Sequence, residues 1–122
     1  MDLTSLSLAK SYADKLFKNL VDLRFQDDKT SYFSFMDNIH QCDLLIIDDL
    51  GTEMPGNFVT AALYSLVNDR LLKGKAMIIS TNLNVEEMSR RYSPQIASRL
   101  HGGFNQLIFV GEDIRILKNR GF

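Results

Sequence analysis

Asp48 and Asp49 stand together after the aliphatic run Leu44-Leu45-Ile46-Ile47 and before Leu50-Gly51. Two carboxylates at the end of a run of strand length can divide one reaction between them. One can hold Mg²⁺ directly or through water, while the other faces a nucleophilic water or an orienting partner. Neighbouring strand residues point to opposite sides, so the two acids are expected to differ in role. Asp is also a common turn residue, and an acidic turn after a buried strand needs no ligand. Farther along, Asn82 follows a second apolar run and offers an amide able to orient an attacking water or touch a terminal phosphate. Arg99 and Arg115 could supply positive charge where phosphoryl transfer develops negative charge. Taken singly, Asn82 serves equally well as the turn residue before a helix, and each arginine as a surface charge.

The elements that would position these groups follow from hydrophobic periodicity. The run 44–47 does not alternate, as in a strand buried on both faces, and open α/β sheets bind ligands at the carboxyl edge. Leu6, Ala9, Ala13, Leu16, Phe17 and Leu20 predict an amphipathic helix over residues 6–25, with Lys10, Lys15 and Lys18 on its solvated side. Residues 26–31 read as a loop. Tyr32, Phe33, Phe35, Met36 and Ile39 then read as a short helix or turn. After a loop at 52–57, Val59, Ala62, Leu63, Leu66, Val67, Arg70 and Leu71 describe another amphipathic helix that Gly74 stops. Residues 76–80 form a second strand. Asn84 and Glu87 have the spacing of a cap and its reciprocal partner, and Ser93-Pro94 opens a helix that ends at Gly102-Gly103. Residues 106–110 form a third strand, followed by a charged tail with Arg115, Lys118 and Arg120. Helix and strand alternate, which predicts an α/β fold with a parallel sheet and right-handed crossovers.

Composition narrows the field. At 122 residues and a formal net charge of -1, the chain is one domain or part of one, with no global basic excess to announce a nucleic-acid partner. Arg90-Arg91 could meet phosphates locally, or simply belong to a solvated face. The single cysteine, Cys42, cannot form an internal disulfide and reads as a reduced core thiol. No run reaches membrane-spanning length and no signal sequence opens the chain, so a cytoplasmic location away from membranes is expected. His40 and His101 are too isolated to argue a metal site.

In order, these segments resemble the AAA+ ATPases, most closely the helicase-loader branch related to the bacterial replication protein DnaC and its relative DnaI. The resemblance covers roughly residues 42–118. Leu44-Leu45-Ile46-Ile47-Asp48-Asp49-Leu50-Gly51 is similar to a Walker B segment, and Ile78-Ile79-Ser80-Thr81-Asn82-Leu83 to a sensor I strand. Tyr92-Ser93-Pro94-Gln95-Ile96-Ala97-Ser98-Arg99-Leu100 looks like the box that ends in an arginine finger, and Gly111-Glu112-Asp113-Ile114-Arg115 like a sensor II segment. The resemblance implies a partial AAA+ P-loop NTPase core with ATP and Mg²⁺ as cofactors. It implies that Asp48 holds Mg²⁺, Asp49 polarises water and Asn82 senses the γ-phosphate. Arg99 would reach a neighbouring subunit's nucleotide and Arg115 that of its own subunit. Many relatives carry Glu where Asp49 stands, so its reach is shorter by one methylene. The implied partners are a replicative DNA helicase, single-stranded DNA, and further copies or related AAA+ subunits. The transposition helper ATPases of some insertion sequences share much of this pattern.

One part of that family's equipment does not occur in the sequence. There is no G-x-x-x-x-G-K-[ST], and the only Gly-Lys pair, Gly74-Lys75, ends a helix rather than opening one. In the family the P-loop strand lies between the sensor I strand and the last strand. Its loss is expected to leave a gap, with residues 106–110 unpaired on one side and residues 1–5 as the remnant of the preceding strand. Either the chain is the C-terminal piece of a longer ATPase, the favoured reading, or it is a non-hydrolysing protein that closes the gap by rearrangement, dimerisation or strand exchange. In both cases the 122 residues alone are expected neither to bind ATP tightly nor to hydrolyse it. The functions that follow are a helicase loader acting in DNA replication, a transposition helper, or a non-enzymatic module that binds a helicase or related ATPase and offers Arg99 in trans.

Overall fold

The computed structural model describes residues 6–109 and 114–119. The elements run β1 (Leu8–Tyr12), α1 (Ala13–Arg24), α2 (Thr30–Gln41), β2 (Leu44–Leu50), α3 (Asn57–Leu72), β3 (Ala76–Thr81), α4 (Val85–Arg91), α5 (Pro94–Gly103), β4 (Phe104–Phe109) and β5 (Ile114–Asn119). One sheet is built in the order β1-β2-β3-β5-β4. Strands β1, β2 and β3 are parallel neighbours, so the chain is an α/β protein with a three-stranded parallel sheet flanked by helices, as alternation predicts. Strand β5 is antiparallel to both β3 and β4.

The first helix starts later than its periodicity suggests. Residues 8–12 form a strand, in register with β2 from Leu8 against Leu44 to Tyr12 against Asp48. Leu6, Ala9 and Ala13 fit a helical stripe, but Ala9 also fits the inner side of an alternating strand. Pairing with β2 decides between the two, helped at its start by Ser7, whose N–H and hydroxyl both donate to Asp43. Those bonds, the backbone one first, hold the Asp43 carboxyl below its ordinary range. Residues 1–5, expected as a strand remnant, lie outside the described residues, and the strand itself sits at 8–12.

The enclosure of β2 differs from expectation too. Leu45, Ile47 and Leu50 are fully buried, as are Met77 and Ile79 of β3, and they join Leu16, Phe17, Leu20, Leu63 and Leu66 in one core. On the other face Leu44, Ile46, Ala76 and Ile78 are only half-buried, and Leu8 and Tyr12 are exposed. The strands advance in sequence order from β1 to β3, and right-handed crossovers then place successive connections on the same side. The aliphatic run therefore has one covered face rather than two.

The gap expected beside β3 is closed by the chain itself. Strand β5, in the region expected as a charged tail, pairs along β3 from Ile78 against Lys118 to Thr81 against Arg115, and β4 pairs on its far side. The expectation that the 106–110 strand would sit across a gap is thus corrected. A hairpin needs only a short connection between antiparallel strands, whereas a parallel neighbour would require a crossover of a dozen or more residues. Val110 and residues 111–113 lie outside the described residues.

Local punctuation fixes the remaining boundaries. Gly74 adopts φ +67° just past α3, a left-handed turn that ends the helix at low steric cost. Asn84 and Glu87 form the reciprocal capping box of α4. The Ser93 hydroxyl accepts from Ile96 N–H, with Pro94 at the first position of α5. Arg70 takes an apolar-stripe position on α3 and is completely buried. Its guanidinium donates to the carbonyls of Ile39, His40 and Cys42 at the end of α2, and to Ala76 O at the start of β3 at 2.7 Å. Burial depresses its pKa from the ordinary arginine value. One turn of α3 thereby ties a helix end and a strand start that share no local sequence.

Candidate functional site

The acid pair sits where β2 loses its regularity. Through Ile47 the β2–β3 register advances one residue at a time, but Leu50, not Asp49, is opposite Thr81. One extra residue has been accommodated, and Asp49 adopts φ +59°, in the left-handed region that Asp tolerates better than most side chains. The bulge inverts the parity of the strand. Simple alternation from Leu45 and Ile47 would send Asp49 into the core, whereas the bulge leaves Asp49 exposed and gives that buried place to Leu50. The expected division of the acids between opposite faces of a regular strand is therefore corrected. Asp48 stays on the half-open face, and Asp49 is displaced outward at the bulge.

Ser80 of β3 connects the two. Asp49 N–H donates to Ser80 Oγ at 2.9 Å, and the Ser80 hydroxyl donates to Asp48 Oδ1 at 3.2 Å. Lys10 Nζ lies 3.9 Å from Asp48 Oδ2. Asp49→Gly is expected to keep or raise stability by up to about 1 kcal/mol, because glycine relieves the positive φ. Asp49→Val should lower stability by about 1–2 kcal/mol, since a β-branched residue resists that conformation. Urea denaturation of both variants measures the contrast.

The turn beyond the acids is pinned in several ways. Thr52 donates through both N–H and hydroxyl to Asp49 O. Gly51 adopts φ +109°, and an added Cβ would meet Leu83 Cδ1 at 2.8 Å, so both conformation and space demand glycine. Thr81 Oγ1 donates to Leu50 O at 2.6 Å and accepts from Leu83 N–H, locking the ends of β2 and β3 together.

Asn82 is the next residue after β3 and is exposed. Since β2 and β3 are parallel, it shares the carboxyl edge with Asp48 and Asp49. Arg115 lies on β5 in register with Thr81, which brings its backbone to the same end of β3. Arg99 is exposed on α5, a helix that packs chiefly against α4, α3 and β4. The structure thus gathers Asp48, Asp49 and Asn82 along one edge, sets the Arg115 backbone near it, and leaves Arg99 on the surface.

A further group shapes this edge and is not evident from spacing. Glu53 is 2% exposed in the loop after β2. Its Oε1 accepts from Gly51 N–H at 2.8 Å, and its Oε2 accepts from Tyr92 OH at 2.6 Å and from Arg91 Nε at 3.2 Å. Arg91 also donates to Glu53 O, so it is committed to an internal ion pair rather than a free phosphate-binding face. Burial works against the Arg91 charge, but bonds to Tyr92 and Glu53 outweigh it and hold its pKa above the ordinary value. Burial, then the adjacent Glu53, pushes the Tyr92 hydroxyl well above the usual phenol range. An acid just past Gly51 and the Arg91-Tyr92 pair were the available sequence signals, but nothing local connects residues so far apart in the chain.

Carboxylates are the donors that Mg²⁺ takes, one or two at a time with phosphate and water completing its shell, but those of Asp48 are already engaged by Ser80 and Lys10. The edge does not fit a triphosphate unaided. The strand beside β3 is β5, which runs antiparallel, and the described residues include no glycine-rich loop feeding a helix there. Among the described residues, no three His, Cys, Asp or Glu gather into a metal site. No helix among them is long and apolar enough to cross a membrane. No protein-family model matches the chain, and no curated protein matches it either.

Proposed function

We propose that this chain is a helicase-loader-type AAA+ core that acts in DNA replication by associating with a replicative DNA helicase. The carrying observation is the shared carboxyl edge of β2 and β3, where Asp48 and Asp49 meet through Ser80 and Asn82 follows directly. The parallel neighbours β1, β2 and β3 support the same reading. The place between the sensor I strand and the last strand, which under the resemblance belongs to a P-loop strand, is held here by the antiparallel β5 and departs from it. In this reading Asp48 is the Mg²⁺ ligand, Asp49 the group facing water and Asn82 the phosphate sensor, once a phosphate cradle is supplied. Arg99 is the residue offered to a neighbouring subunit and Arg115 the one nearest its own nucleotide. ATP, Mg²⁺ and single-stranded DNA belong to the assembled system rather than to these residues alone.

The experiment is sedimentation velocity of the chain with a hexameric replicative helicase, beside a titration with Mg²⁺ and ATP. The expected result is a complex with the helicase and no saturable nucleotide binding by the chain alone. Failure to bind the helicase overturns the reading, and binding to a transposase instead would identify a transposition helper. The β5 pairing specifically favours a second reading, a non-hydrolysing module that binds a helicase or a related ATPase. In that case the chain raises the partner's ATP turnover, and Arg99→Ala removes the increase without weakening the complex.

A further inference from the structure

The outer edge of β1 is a second surface, which meets the acid edge at Asp48. Among the described residues no strand pairs with β1 on the side away from β2. Leu44 N–H donates to Ser7 O at 3.1 Å, which sets the phase of the ladder. In a parallel pair, alternate residues direct their main-chain groups to the same neighbour. Ser7, Ala9 and Ser11 therefore face β2, and Leu8 and Lys10 turn their N–H and C=O outward. A cleft of about 640 Å³ runs along this edge and is lined by every residue of β1. Leu16, Phe35 and Ile39 of α1 and α2 provide apolar walls, and Asn19 and Asn38 add amides.

Two of its charged residues are basic. Lys15 is exposed, and Lys10 is 62% exposed with its ammonium 3.9 Å from Asp48, an arrangement that holds a lysine only weakly. Among the described residues Asp48 is the only acid lining the cleft, and its Oδ1 already accepts from Ser80. Outward main-chain groups call for an extended segment, because only a strand offers matching donors and acceptors at that spacing. The lysines call for acids on it. A second copy pairing antiparallel about the centre of β1 would set Lys10 against Lys10, which is unfavourable.

We infer that the outer edge of β1 binds an extended, acidic segment of a partner protein, which adds a strand to the sheet and places carboxylates against Lys10 and Lys15. This binding needs no nucleotide at the acid edge, which it meets through the Lys10–Asp48 ion pair. The segment's alternate side chains enter the cleft between α1 and α2, while its main chain pairs with Leu8 and Lys10.

The test uses the 122-residue chain and two capped synthetic peptides, one alternating valine with glutamate and one alternating valine with lysine. Fluorescence anisotropy is expected to show at least roughly tenfold tighter binding of the glutamate peptide at low salt, a preference reduced by added salt. Lys10→Glu combined with Lys15→Glu should reverse the preference. Lys10→Pro removes an outward N–H, which an edge strand tolerates, together with the lysine charge, and should abolish binding while the circular dichroism spectrum is retained. Hydrogen exchange on the unmodified chain gives a readout independent of that variant: the Leu8 and Lys10 amides should be protected only with the glutamate peptide present. Equal binding of both peptides, or unchanged exchange at those amides, overturns the inference. A concentration-dependent dimer lost in Lys10→Pro, with no peptide binding, would assign the edge to a second copy instead. Binding of an oligothymidine that the combined Lys10→Glu and Lys15→Glu change abolishes, again without peptide binding, would assign it to nucleic acid.

Discussion

Replacing Arg70 with alanine is expected to lower folding stability by about 3–5 kcal/mol, read as a shift of the urea midpoint. The side chain is wholly buried, and its donors reach Ile39, His40, Cys42 and Ala76 carbonyls. Alanine would leave those acceptors without their donor and open a cavity at the junction of α2, α3 and β3. Arg70→Met restores much of the volume but none of the hydrogen bonds, so it should recover only part of the loss. Arg70→Lys should not rescue fully, since one ammonium cannot reproduce the planar fork that spans a helix end and a strand start. A loss below about 1 kcal/mol in Arg70→Ala would show that the carbonyls find water instead.

Glu53→Ala is expected to be the second most damaging change, costing about 2–4 kcal/mol and loosening the turn that follows the acids. The carboxylate holds Gly51 N–H, Tyr92 OH and Arg91 at once, and its side chain is 1% exposed against 22% for that of Arg91. Glu53→Gln keeps the shape and one acceptor oxygen but loses the charge, so about half the loss is expected. Thermal unfolding ranks the variants, and hydrogen exchange at Gly51 reports the turn directly. If Glu53→Ala and Tyr92→Phe are additive, the network acts as separate contacts; a coupling of about 1 kcal/mol or more identifies a single unit.

Legibility of the fold from sequence followed the range of the interaction involved. Asn84 with Glu87, Ser93 with Pro94, and Gly74 each act within a few residues, and each ends or starts a helix where its chemistry predicts. Strand β1 was hidden because Ala9 and Ala13 satisfy two periodicities, and its pairing partner lies 36 residues away in the Ser7–Asp43 contact. Strand β5 was hidden because Arg115 and Lys118 mask the alternation of Ile114 and Ile116. The acids and Asn82 were legible as residue types at strand ends, and the parallel pairing sets them on one edge. The turn at Asp49 was not legible, because it depends on which residue fills the core beside Thr81. Arg70 was placed correctly on its helical stripe, but its carbonyl partners come from two other elements.

The looped-out residue at position 49 has a consequence for how this rim can vary. Leu50 already completes the greasy side of its strand, so the protruding acid is a tolerated insertion rather than a structural rung. The side chain at the rim can therefore be exchanged without repacking the interior beneath it, while the backbone of that residue stays bonded to Ser80 and Thr52.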